Sequence, residues 1–274
     1  MLFESLKSQF PRVKKDEPLK NHCTFRVGGP ADLFYELFNI EELPALITFT
    51  EENEIPYVVI GRGSNILFRD GGFRGLVIKN LSNYFKIDSD ERGNPTGLLT
   101  ASSGVLLSTI IQKSVEENLS GLEPLYGLPG TIGGAVYGNA GVPGTEMKDF
   151  VSGITAFNIE EGIHEHTNME LGFEYRSSKL KKENKDAVMY VALKLQKKNE
   201  TKSREESREE MKTVDITRRG KQPIGWTCGS FFKNPRGQAA GLLIDKAGLK
   251  GMEIGDAQIS EKHGNFFLNL ENAT

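Results

Sequence analysis

The sequence predicts an α+β protein in three parts, over residues 1–80, 81–198 and 199–274. Three observations predict it. Residues 25–78 run strand, helix, strand in a βαβ-like order. Residues 81–198 are strand-rich around one amphipathic helix. A heavily charged stretch, 197–219, then leads into a last part that mixes a helix with short strands.

Leu2, Phe3, Leu6 and Phe10 recur at helical spacing, so residues 1–20 read as a short amphipathic helix and then a polar tether punctuated by Pro11 and Pro18. Ala31–Phe38 reads as a strand. Ile40–Asn53 reads as a helix on Leu43, Leu46, Ile47 and Thr50. Tyr57–Ile60 and Gly75–Lys79 are the next strands. Val105–Asn118 carries Leu106, Leu107, Ile110, Ile111 and Val115 on one helical face, with Gly121 as its stop. Val151–Phe157 and Val188–Leu195 alternate like strands. In Lys197–Arg219, acids at 205, 206, 209 and 210 interleave with bases at 202, 204, 208 and 212, and only Met211, Val214 and Ile216 can anchor it. That pattern is a solvated connecting helix laced with i,i+4 pairs. Ala239–Ala247 reads as a helix, and Ala257–Ile259 and Asn265–Asn269 as strands.

Composition excludes several classes. Hydrophobic content is 38%, charged content 26% and net charge −3, which are ordinary globular values. The mild acidity argues against nucleic acid as a partner. No run approaches the roughly 18 apolar residues of a membrane span, and no apolar leader is visible at the N-terminus. Two cysteines, Cys23 and Cys228, cannot build a disulfide framework, so a reducing, cytoplasmic setting is expected. Cys228 is expected to be a buried thiol. Trp226 reads as local packing, with a place near substrate as the alternative. His164 and His166 share a strand face, but no third ligand stands near them in sequence, so no metal site is expected.

The departure from the average is glycine, 30 of 274 residues, in clusters. Gly61-Arg62-Gly63-Ser64-Asn65 follows the strand Tyr57–Ile60. Its glycines allow a sharp turn with consecutive N–H groups exposed, which is either an anion-binding nest or only a turn. Ile66 stands where a dinucleotide fingerprint needs its third glycine, and no Walker-type run exists. The second cluster runs from Tyr126 to Gly141, with Gly127, Pro129, Gly130, Thr131, Gly133, Gly134 and Asn139. So little side-chain bulk suits close approach of a large flat or phosphorylated ligand; a bend at a sheet corner is the alternative. The third surrounds Ser230 in Cys228-Gly229-Ser230-Phe231-Phe232-Lys233-Asn234-Pro235. It lacks the Gly-x-Ser-x-Gly elbow, and no Ser-His-Asp spacing is present, so serine hydrolysis is not expected.

These clusters, with Thr24-Phe25-Arg26-Val27-Gly28-Gly29-Pro30-Ala31 and Tyr175-Arg176-x-Ser178, resemble in order and spacing the UDP-N-acetylenolpyruvoylglucosamine reductases, over roughly residues 20–270. The resemblance implies an FAD-binding fold of the vanillyl-alcohol oxidase and p-cresol methylhydroxylase type, made of two α+β subdomains, plus a small α+β substrate-binding domain. It implies FAD against Gly61–Asn65 and Gly127–Gly141, and NADPH as co-substrate. FAD is expected to be non-covalent, because His22, the only histidine of the first half, lies outside the flavin loops. The implied substrate is a UDP-sugar bearing an enolpyruvyl ether, and the implied oligomeric state is a monomer.

In the implied reaction, hydride addition at one carbon builds negative charge on its neighbour and the attached carboxylate. A guanidinium, which stays charged, can stabilise that enolate, and Arg176 matches the family position. Ser230 matches the proton donor, with Lys233 and Asn234 as candidate polarising neighbours. Tyr175, Lys221, Asn234, His263 and Asn265 fall where the family contacts substrate, Lys221 facing the diphosphate. The short Arg176–Ser230 spacing resembles the shorter variety of the family. Family members also continue some tens of residues past the stretch matching His263–Thr274 and there carry a glutamate that assists proton delivery; no residue here matches it, so the expectation is either a truncated form or a lineage that dispenses with that acid. Two alternatives follow: another FAD oxidoreductase acting on a hydroxy acid or alcohol, or a flavin-binding protein with impaired turnover.

Overall fold

Lys14–Pro18, expected above as tether, is a strand. In this computed structural model, which describes residues 2–197 and 203–274, it pairs antiparallel with Pro30–Leu37. Polar side chains hid it: the strand lies at a sheet edge, where backbone hydrogen bonds hold it and most of its side chains face water. The side chain of Leu2 and residues 198–202 of the charged connector lie outside the described residues.

Contacts group the chain into two units. One takes the chain up to Tyr35, Ile55–Lys79 and Ile216–Thr274; the other takes Glu36–Glu54 and Asn80–Asp215. In the first unit a four-stranded sheet runs in the order Lys14–Pro18, Pro30–Leu37, Phe73–Asn80, Tyr57–Ile60, its last pair parallel. Leu19, Phe25, Phe34, Ile60, Val77 and Cys228 bury together over it, with Phe231 and Phe267 packed against them. The expected helix Leu2–Gln9 is present and buries Leu6. Near the C-terminus, Glu253–Ile254, Ala257–Ile259 and Phe267–Asn269 form a three-stranded antiparallel sheet beside the helix Ala240–Lys246. The last strand starts two residues later than expected, because Phe266 N donates to His263 O and Asn265 N to His263 Nδ1, closing a turn there.

In the second unit a five-stranded sheet runs Gly162–Thr167, Val151–Asn158, Ala187–Lys194, Pro95–Ser102, Phe85–Ser89, antiparallel at every step. The helix Leu107–Glu116 lays Leu107, Ile110, Ile111 and Val115 into a core with Leu99, Ile132, Val136, Ile154 and Val191. Each such side chain contributes about 1.5–3 kcal/mol when fully buried. This helix stops before Gly121, because Asn118 takes the left-handed conformation at φ 58 and ends it. The expected helix over 40–53 divides into a 3-10 turn, Ile40–Glu42, and the helix Leu43–Glu52 with a proline in its first turn. Its Leu43, Leu46, Ile47 and Thr50 are all fully buried.

The charged connector contains the helix Arg204–Lys221. Met211 anchors it and Val214 is partly buried, but Ile216 is 70% exposed and is no anchor. The described ion pairs within it, Lys212–Glu209 and Arg208–Glu205, are spaced i,i+3 rather than i,i+4. Among the described residues no helix is long and apolar enough to cross a membrane.

Candidate active site

In the first unit three motifs meet through Thr24. Its N–H donates to Gly63 O at 3.1 Å, and its Oγ1 donates to Thr227 O at 2.6 Å. The Gly61–Asn65 turn is thereby fastened to the segment that leads into Ser230. Gly63 sits at φ +66, and a Cβ there would lie 2.3 Å from His22 O, so only glycine fits. A Cβ on Gly229 would stand 4.0 Å from Ser64 O, which puts the approach to Ser230 beside the same turn.

Ser230 is held by its backbone and offered by its side chain. It bridges Phe266, and the adjacent Phe231 N donates to Asn265 O. The buried Asn265 clamps the next residue with both ends of its amide: Oδ1 accepts from Phe232 N and Nδ2 donates to Phe232 O, each at 2.9 Å. Ser230 itself is exposed, and no hydrogen bond holds its hydroxyl among the described residues. Of its expected polarisers, Asn234 accepts from Ala240 N at 3.0 Å and so caps the helix Ala240–Lys246; Lys233 is exposed.

His263 accepts from Asn265 N through Nδ1 at 3.1 Å, so its proton resides on Nε2. Burial, with a smaller contribution from Lys250, pushes its pKa below the ordinary histidine value and keeps it neutral near pH 7. Lys221 is exposed at the end of its helix. Cys228 is a buried thiol pushed up to about 11 by burial, so it is no nucleophile. Trp226 packs under Arg26, whose guanidinium carbon stands 4.3 Å from the ring centre, in keeping with local packing. His22 is stacked on Phe34, with Nε2 2.7 Å from Glu17 Oε1 and Nδ1 3.1 Å from Lys79 Nζ.

In the second unit the glycine-rich stretch and the Tyr-Arg-x-Ser motif come together. Arg176, at φ 55, donates from Nη2 to Gly141 O at 2.6 Å and from Nη1 to Asn139 O at 3.4 Å. Asn139 is fully buried and saturated: Nδ2 donates to Glu146 Oε2 and Glu174 O, and Oδ1 accepts from Lys148 N. Ser178 donates to Tyr137 O and caps the helix Lys179–Glu183, which explains the motif's serine as a structural residue. Tyr175 is exposed, its ring centre 5.4 Å from the Arg176 guanidinium.

The glycines of this stretch divide into two kinds. A Cβ on Gly133 would lie 2.5 Å from Ser103 Cβ, and one on Gly141 2.6 Å from Thr145 O, so packing demands both. A Cβ on Gly134 or Gly138 would meet nothing nearer than 3.5 Å. Packing does not explain those two. They leave a bare strip of backbone, with the exposed Pro129 and half-buried Gly127 and Gly130 nearby. That strip fits a large planar cofactor, while Thr131 uses its hydroxyl to cap the following turn by accepting from Gly134 N.

Sequence reasoning missed Glu146 and the bridging role of Thr24. Burial alone would raise the Glu146 carboxyl, but hydrogen bonds from Lys148 and Asn139 and the charges of Lys148 and Arg176 hold it below the usual range. Only its place just after Gly141 could have flagged it. The expectation that His164 and His166 have no third ligand is corrected: Asp186, some 20 residues on, lies against both. The turn after Thr167 and the helix Lys179–Glu183 separate the two segments in sequence, so sequence distance concealed it.

Comparison with known proteins identifies the family. Residues 31–168 match an FAD binding domain, and residues 221–274 match the UDP-N-acetylenolpyruvoylglucosamine reductase C-terminal domain. The UDP-N-acetylenolpyruvoylglucosamine reductase of Clostridioides difficile is 38% identical over 96% of this chain and 83% of its own length. That of Alkaliphilus oremlandii is 40% identical over the same shares. The crystal structure of the Thermus caldophilus reductase superposes with a TM-score of 0.77 at 38% identity, covering 95% of this chain and 88% of that one. At 16% identity, 6-hydroxy-D-nicotine oxidase from Arthrobacter nicotinovorans shares the fold alone, with a TM-score of 0.52 over 68% of this chain and 42% of that one. The fold is thus the FAD-binding fold of the vanillyl-alcohol oxidase type, and with identity of this level over nearly its whole length the chain belongs to the UDP-N-acetylenolpyruvoylglucosamine reductase family.

Proposed function

We propose that this protein uses NADPH and FAD to reduce the enolpyruvyl ether of UDP-N-acetylglucosamine enolpyruvate to the lactyl ether of UDP-N-acetylmuramate, a step of peptidoglycan precursor synthesis. Family membership carries the reaction; the Arg176 guanidinium, fixed on the carbonyls of Asn139 and Gly141, carries the assignment of residues.

Bound FAD supplies the hydride, drawn from NADPH and delivered to the enolpyruvyl double bond. Residues Gly61, Arg62, Gly63, Ser64 and Asn65, and the strip around Gly127, Pro129, Gly130, Thr131, Gly133, Gly134, Asn139 and Gly141, would hold it through backbone. We take the cofactor as non-covalent: His22, engaged at both ring nitrogens, is not available for a flavin bond. As hydride arrives, charge grows on the enolate and its carboxylate. Arg176 supplies a permanent positive charge there, and two of its five N–H groups are already spent on holding it in place. Ser230 then gives its proton to the carbanion-like carbon.

Tyr175, Lys221, Asn234, His263 and Asn265 form the remaining substrate-side set in this reading. Lys221 faces the diphosphate. His263 offers Nε2–H as a neutral donor. Asn265 acts through the segment after Ser230, which it clamps at Phe232. Functionally, residues 1–80 and 81–198 serve the flavin and 199–274 the substrate. A cytoplasmic monomer, without nucleic-acid or membrane partner, completes the proposal.

The test is NADPH oxidation by purified holoprotein. It should depend on the UDP-enolpyruvyl sugar and yield the lactyl ether. Oxidation of a hydroxy acid or alcohol instead would assign the protein to a different reaction on the same fold.

A further inference from the structure

His164 and His166 lie on the strand Gly162–Thr167, paired in register with Ala156 and Ile154 of the next strand and on the same face of the sheet as they are. Asp186 immediately precedes the strand beyond, Ala187–Lys194. The small Ala156 between them lets the carboxylate reach the imidazoles. The side chains of His164, His166 and Asp186 are 13%, 9% and 3% exposed. One donor atom from each lies within 4.8 Å of the others.

The bonding of His164 is the informative detail. Its Nδ1 stands 3.0 Å from Gly162 O. A carbonyl only accepts, so Nδ1 carries the proton, and in the neutral ring Nε2 is a bare lone pair. That Nε2 is buried and has no hydrogen-bond partner, yet it stands 3.3 Å from Asp186 Oδ1. A lone pair and a carboxylate oxygen repel at that distance unless positive charge lies between them. His166 Nε2 is 2.9 Å from the other oxygen, and the two rings are nearly perpendicular, 5.0 Å apart at their centres. Ligand atoms of a tetrahedral zinc site, each about 2.0–2.2 Å from the metal, stand about 3.3 Å from one another. The carboxylate is oriented from outside by Asn158, whose Nδ2 donates to Oδ1 at 2.6 Å, as outer-shell partners orient metal-bound carboxylates.

We propose that His164, His166 and Asp186 bind a single divalent transition-metal ion of the zinc type, which ties the edge strand Gly162–Thr167 to the start of the strand Ala187–Lys194. Two imidazole nitrogens and one carboxylate oxygen are the donor set that such ions favour over magnesium or calcium. Water completes the fourth position.

Metal-stripped holoprotein, with its FAD retained, tests this with zinc and cobalt ions. Titration with cobalt should saturate at one equivalent with the visible absorption of a four-coordinate nitrogen–oxygen site, and zinc should displace it and raise Tm. His164→Gln and His166→Gln should each weaken binding by more than about 100-fold, the upper end of what losing an outer-shell partner does. Glu165→Gln, exposed on the same strand, should bind like wild type. Each variant's FAD content and metal-free Tm show whether it has folded. Lack of saturable binding by the wild type overturns the proposal. Unchanged binding in both folded histidine variants overturns it as well. If the variants fail to fold, the wild-type titration in the presence of magnesium at large excess still decides: competition by magnesium contradicts the site.

Discussion

Arg176 and Ser230 are held in opposite ways. At Arg176 the side chain is fixed: two backbone carbonyls grip the guanidinium, and the buried, saturated Asn139 fixes one of those carbonyls. At Ser230 the backbone is fixed, by the bridge to Phe266 and the Asn265 clamp on Phe232, while the hydroxyl stays exposed and unheld. The difference matches the duties proposed for the two residues. A charge that stabilises a developing enolate works best already aimed, with no reorganisation left to do. A hydroxyl that gives up a proton must keep that proton uncommitted until substrate arrives.

Substitutions can break this contrast. The largest effect is expected at the hydroxyl: Ser230→Ala should lower kcat by about 1000-fold, within the range for losing a positioned acid. FAD content and Tm should stay those of wild type, because only backbone groups of Ser230 bond within the fold. Next, Arg176→Lys keeps the charge but loses the fork that spans Asn139 O and Gly141 O, and should cost about 100-fold in kcat. A lysine variant with near-normal kcat would show that aim is unimportant there.

Asn265→Ala should act on the other side of the contrast, loosening a backbone rather than a side chain. Phe232 N–H and C=O lose the two hydrogen bonds that Asn265 makes to them, each worth about 0.5–1.5 kcal/mol, so stability should fall by about 1–3 kcal/mol in denaturant unfolding. The rate should fall by less than in Ser230→Ala, with the same pH profile.

The smallest effect is expected from Glu146→Gln. The folded-state pKa of Glu146 is depressed, so its stabilisation is complete above the unfolded value of about 4.3 and fades as pH falls through the folded one. The variant should show a shallower loss of stability on acidification than wild type, read from Tm against pH.

Much of this was legible in sequence where local rules decide. Tyr57–Ile60 and Ala257–Ile259 form strands to the residue, and the apolar faces of Leu43–Glu52 and Leu107–Glu116 are the buried ones. Local rules failed where the backbone alone does the holding. Lys14–Pro18 pairs at an edge without an apolar face, and Asn118 stops a helix that glycine was expected to stop. Motif residues could be found in sequence, but what grips them could not. The carbonyls that hold Arg176 lie 35 and 37 residues before it, and the amide that clamps the segment after Ser230 lies 33 residues after Phe232. Nothing in spacing announces a carbonyl as an acceptor, nor Asp186 as the neighbour of His164 and His166.

The central claim is that Ser230 serves the substrate and not the flavin. Anaerobic transient kinetics test it by separating the two halves of the reaction. NADPH should bleach the FAD of wild type and Ser230→Ala at the same rate. Mixing the reduced proteins with UDP-N-acetylglucosamine enolpyruvate should then restore the flavin colour rapidly in wild type and about 1000-fold more slowly in the variant. Equal slowing of both halves, or equal rates of recovery with substrate, would contradict it.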